Sequence, residues 1–86
     1  MKDYTAKLIE QVENDYASLK SAILKGSGKI IGKETRRLVR SLDYLYESVK
    51  KKTLAYHLLK TGKKLKDTRE FDKFESLFDK LKEDER

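Results

Sequence analysis

Residues 33–61 read KETRRLVRSLDYLYESVKKKTLAYHLLKT, a stretch with neither proline nor glycine that carries three arginines and a lysine triplet. Leu38, Leu42, Leu45, Val49, Thr53 and Tyr56 recur at intervals of three and four, and Val39, Tyr46, Leu54, Leu58 and Leu59 widen the face they mark. That period belongs to an amphipathic helix, and a face this wide requires two neighbouring helices to cover it. The spacing therefore predicts one long central helix over 33–61. At about 1.5 Å per residue such a helix runs about 43 Å, whereas a compact chain of this size is about 30 Å across. Either the helix bends near Lys52 and Thr53 or its overhang is covered by another chain; the second is expected.

Working outward, the preceding segment places Tyr4, Leu8, Val12, Tyr16, Leu19 and Ile23 on a single stripe, which predicts a helix over 3–25 with Asp3 as its N-cap. Gly26 supplies the left-handed residue that commonly closes a helix, and Gly26 to Gly32 reads as a connector whose Ile30 and Ile31 tuck under the bundle. The GSGK of this connector is not a phosphate-binding loop, because the glycine spacing is wrong, Glu34 follows Gly32-Lys33 where a hydroxyl is needed, and the preceding element is a helix. On the other side, Gly62 is placed to end the central helix. Asp67 and Glu70 have the form of a capping box for a third helix over 68–83, whose Phe71, Phe74, Phe78 and Leu81 form a core seam with Leu77 alongside. Its acidic tail opposes the macrodipole, so the last turn should fray. The expected fold class is all-α: a single domain, 1–86, of three helices (about 3–25, 33–61 and 68–83), forming a small bundle completed by a partner chain.

Composition agrees. The chain has 86 residues, no proline, four glycines and 42% charged residues. A chain so short buries only about 60% of the surface its unfolded form exposes. It has no cysteine and a single histidine, His57, so neither a disulfide nor a zinc site within one chain can staple the core. Abundant Lys and Glu with one Asn, one Gln and one Met is the pattern of heat-adapted proteins. No apolar run approaches the roughly 20 residues of a membrane span, and the N-terminus lacks the features of a signal peptide, so a cytoplasmic location is expected.

Charge is distributed unevenly. Residues 16–66 hold 14 Lys and Arg against three acids (Glu34, Asp43 and Glu47), while both flanking segments carry more acids than bases; Ser48 to Lys66 contains no acid at all. Lys50, Lys51, Lys52, Lys60, Lys63, Lys64 and Lys66 thus form a polyanion attractor, since several cations close together displace the counterions condensed on a phosphate backbone. Arg36, Arg37 and Arg40 add a second cluster, with guanidinium forks suited to phosphate. At the start of a helix from Lys33 these arginines would oppose the macrodipole, a local cost that points to work done elsewhere. Tyr46 reads as core, Tyr44 as an exposed aromatic able to stack on a base, and His57 as a half-buried residue beside the core stripe.

These ten basic residues are the candidate nucleic-acid-binding site. The expected function is a small, non-catalytic, nucleoid-associated accessory subunit of a replication, transcription or chromatin complex that contacts the phosphate backbone without sequence specificity, DNA being preferred to RNA. The central helix lacks the Asn or Gln that would read adenine. The alternative is a subunit that docks its long helix into a larger protein or a second copy of itself and does not touch nucleic acid. Asp67, Arg69 and Glu70 resemble the acid–Arg–Glu cluster of chorismate mutases, which would imply an all-helical enzyme; a capping box explains the same three residues and the third long helix of that family is missing. No catalytic residue, cofactor, metal, membrane or small-molecule substrate is expected.

Overall fold

The computed structural model describes the backbone of residues 2–85 and the side chains of residues 4–85. The described residues form four α-helices: α1 (Lys2–Lys25), α2 (Gly28–Ser48), α3 (Lys52–Lys63) and α4 (Phe71–Asp84), the last entered through a 3-10 turn, Thr68–Glu70. The chain is all-helical as its periodicity predicts, with a fourth helix where the central segment divides.

The first helix ends as expected, with Gly26 at φ +72° and the Ser27 N–H reaching back to the Ala22 carbonyl. Asp3, expected to cap it, already has helical backbone, and its side chain lies outside the described residues. The second helix starts at Gly28 and not at Lys33. The supposed connector is therefore its first turn, in which Ile31 packs against the core while Ile30 stays 51% exposed. Contacts between Thr5 and Ser48 and between Asp15 and Ser41 show that α1 and α2 run antiparallel. Likewise Lys82 meets Glu13 and Glu75 meets Tyr16 and Lys20, so α4 also runs antiparallel to α1.

The long central helix does not form. Val49 is extended (ψ 161°) yet only 3% exposed, and Lys52 begins a new helix. Neither glycine nor proline causes the break; side-chain and backbone partners hold it. The Lys52 ammonium donates to the last carbonyls of α2, Tyr46 O at 2.6 Å and Glu47 O at 2.9 Å, where the negative end of the macrodipole favours a cation. The Lys50 N–H donates to Glu85 Oε2 at 3.2 Å. The acidic tail thus has a structural partner, and α4 stays helical through Asp84 where fraying was expected. The break also removes the expected overhang of a single helix about 43 Å long: the molecule measures 37 × 20 × 15 Å.

Restarting the helix changes which residues face inward. Thr53 and Tyr56, read as core from the continuous register, are exposed, while Leu58 and Leu59 are buried as expected and Ala55 joins them. Gly62 does not end α3. It lies buried in the last turn, where a Cβ would stand 2.5 Å from Leu42 Cδ1, so its missing side chain lets α3 approach α2 closely.

At the centre, Phe74 is fully buried and stacks on Tyr16 with ring centroids 4.5 Å apart, while Phe71 meets the same tyrosine edge-on. Phe78 and Leu81 complete the seam as predicted. Tyr4, by contrast, is 59% exposed and leaves the α1 stripe. Asp67 caps the 3-10 turn, accepting from the Arg69 N–H at 2.9 Å, and that bond is the main reason its carboxyl titrates below the usual range.

Two neighbouring residues of α1, Asp15 and Tyr16, carry polar groups into the core. Asp15, 4% exposed, accepts from Ser41 Oγ at 2.5 Å and from Gln11 Nε2 at 3.1 Å. Tyr16 donates its hydroxyl to Glu75 Oε2 at 2.6 Å, and Lys20 reaches the same oxygen at 2.9 Å. Burial, and then the carboxylate it donates to, push the Tyr16 phenol well above its ordinary pKa. The folded state therefore holds this proton more tightly than the unfolded state, and stability must fall as pH rises past about 10, the value for a free tyrosine. Urea titrations at pH 8 and pH 11 should show a loss of stability that Tyr16→Phe reduces; an equal alkaline loss in both proteins would exclude Tyr16 as its source. On the acid side, the Tyr16 hydroxyl and then the Lys20 ammonium hold the Glu75 carboxyl below its usual range. Its small contribution is present above pH about 4.3 and is lost as pH falls through the lowered value.

Candidate nucleic-acid interface

All ten predicted basic residues are exposed. Five of them line a strip along α3. One hollow, of about 480 Å³, is bounded by Lys50, Lys51, Lys52, Thr53, Leu54 and His57. A smaller one, of about 210 Å³, has His57, Lys60 and Lys64 on its α3 side and Glu70 and Lys73 opposite. His57 belongs to both. Thr53, His57, Lys60 and Lys64 follow one another at intervals of four, three and four, one face of a helix. The strip forms because Ala55, Leu58, Leu59 and Gly62 bury the opposite side of α3.

His57 is therefore exposed at the middle of the basic strip, not half-buried beside the core. Lys73 is a second residue that sequence reading missed, because it comes from α4, where acids surround it in sequence. The spacing 53, 57, 60, 64 was legible for His57 once α3 is allowed its own register; nothing in the sequence marked Lys73.

The basic residues are not equivalent. Lys52 spends its ammonium on α2 carbonyls and lies 5.1 Å from the centre of the Tyr46 ring. Lys60 stands 5.5 Å over the Tyr56 ring, an arrangement that draws a cation to the aromatic face while leaving it open to solvent. Lys63 and Lys66 are exposed beyond the two hollows. The first turn of α3 contains no acid and has no side-chain cap, so its backbone N–H groups add positive potential beside Lys50 and Lys51.

The arginines sit differently from the sequence expectation. Because α2 starts at Gly28, Arg36, Arg37 and Arg40 lie two or more turns inside it, and the argument from an opposed macrodipole at the helix start does not hold. Arg37 stands 3.9 Å from Glu34, whose Oε2 is buried without a hydrogen bond among the described residues. Arg36 and Arg40, four residues apart, share one side of α2. Arg40 borders a separate hollow, of about 580 Å³, between α2 and α3.

This arrangement can hold a run of phosphates by charge and by hydrogen bonds from lysines. The described residues contain no group of three potential metal ligands and no helix long and apolar enough to cross a membrane. Comparison with protein-family models, with curated proteins and with solved structures found no match to this chain.

Proposed function

We propose that this protein is a small, non-catalytic nucleic-acid-associated subunit that grips the phosphate backbone through the exposed face of α3, as an accessory to a larger replication, transcription or chromatin assembly at the nucleoid. The observation that carries this reading is the pair of lysine-bordered hollows meeting at His57, built largely from a segment, Ser48 to Lys66, that contains no acid, with Glu70 facing the smaller one from the turn before α4. Arg36 and Arg40 extend the positive surface onto α2. Contact is with phosphates, so binding is nonspecific in sequence.

Fluorescence anisotropy with a labelled DNA of arbitrary sequence tests this. Binding is expected at 50 mM salt and should weaken by about two orders of magnitude or more by 200 mM, with a linear log–log dependence. No detectable binding at 50 mM salt overturns the reading and leaves the protein-docking alternative, in which the same surface meets an acidic partner.

A further inference from the structure

Tyr44 and Tyr56 are 54% and 48% exposed, and together with Leu59 they line the hollow between α2 and α3. Tyr44 also lines a neighbouring hollow, of about 340 Å³, with Tyr4, which is 59% exposed. Three tyrosines from three helices thus border a depression made of two neighbouring hollows that share Tyr44 and Glu47. None of the three belongs to the buried core, so packing does not account for them.

We propose that this depression receives unpaired bases, and that the ligand is single-stranded nucleic acid, its bases stacked at Tyr44 and Tyr56 and its phosphates on the α3 lysines. This rests on the nucleic-acid reading above and narrows it to a substrate class. The polar groups divide the labour. Arg40 lines the hollow and Lys60 stands over the Tyr56 ring, so a phosphate next to a base held there meets a cation. Asp43 and Glu47 line the same hollow; they repel a phosphate beside them but can accept from the exocyclic amines and ring N–H groups of a base. The α2 side of the hollow, where these two carboxylates stand, is thus better suited to a base than to a phosphate. Consecutive residues of α3 then serve the two halves of a nucleotide: Tyr56 faces this hollow, and His57 faces the lysine-bordered pair. A duplex cannot use the arrangement, because its bases are stacked inside and present only phosphates and groove edges, whereas every unpaired base offers a face to an aromatic ring.

The test compares a labelled single-stranded oligodeoxynucleotide with its own duplex, binding to the wild type, to Tyr44→Ala/Tyr56→Ala and to Tyr44→Phe/Tyr56→Phe, at matched low salt. The wild type should prefer the single strand. The alanine pair should lose about tenfold or more on the single strand, the scale of stacking one or two bases, with the duplex affinity unchanged. The phenylalanine pair keeps the rings and should bind as wild type. Both rings are exposed, so thermal melts of all three proteins should coincide. Single-strand binding unaffected by the alanine pair, or single-strand and duplex binding lost in parallel, overturns the inference while leaving phosphate binding intact. Absence of binding to either form overturns the nucleic-acid reading itself.

Discussion

Phe74→Ala is expected to leave the protein largely unfolded at temperatures where the wild type is folded. Phe74 is fully buried, stacks on Tyr16 at 4.5 Å and lies 6.0 Å from Phe78, ring centre to ring centre. It also stands beside Gly62, 3.6 Å from where that residue's Cβ would be, so one ring packs against α1, α3 and its own helix. Truncating a buried phenylalanine costs about 3–5 kcal/mol, the lost transfer energy plus the cavity left behind. The whole stability of a domain this size is on the order of 4–13 kcal/mol, with no disulfide to limit the unfolded ensemble. Each kcal/mol lowers the Tm of such a domain by about 4–8 °C, so a fall of about 12 °C or more should appear by circular dichroism. Tyr4→Ala is the contrast. It alters a residue of the same predicted kind, an aromatic on a helical stripe, but one that is exposed, and it should change stability by no more than about 0.5 kcal/mol. Equal effects at the two positions would show that the core is not centred on Phe74.

Changing Lys50, Lys51, Lys60, Lys63 and Lys64 together to Gln should reduce nucleic-acid affinity by about two orders of magnitude at low salt while leaving the fold intact. All five are exposed, and none donates a hydrogen bond from its ammonium or forms an ion pair among the described residues. Each phosphate contact contributes about 0.7–0.9 to the slope of log affinity against log salt, so losing five should flatten the slope by about 3.5–4.5. Lys52 is left out deliberately. Its ammonium closes the end of α2, so Lys52→Gln should lower the Tm, and a loss of binding in that variant would not separate contact from folding. A five-lysine variant that binds with the wild-type slope would remove α3 from the interface.

Sequence and structure agree where local periodicity had one solution. The α1 stripe from Leu8 to Ile23, the Phe71–Leu81 seam, the left-handed Gly26 and the Asp67 cap were all legible, because each depends on neighbours within a turn or two. The ten cations could be found from charge alone, since lysines and arginines are rarely buried. Asp15 was missed although its position three after Val12 and four before Leu19 placed it in phase with the core; only its pairing with Ser41 on another helix makes its burial tolerable.

Local periodicity and charge therefore suffice for a helical chain, a phenylalanine core and a basic segment from Lys50 to Lys66. The division of 33–61 into α2 and α3 depends instead on packing between helices. Leu54, Ala55, Leu58 and Leu59 fit an inward face in either register, and no glycine or proline chose between them. The choice fell to contacts far apart in sequence: Leu42 against Gly62, Glu85 on the Lys50 N–H, and a buried Val49 at the break. Those contacts turned Thr53, Tyr56 and His57 outward, and with them created the surface on which the proposed function rests.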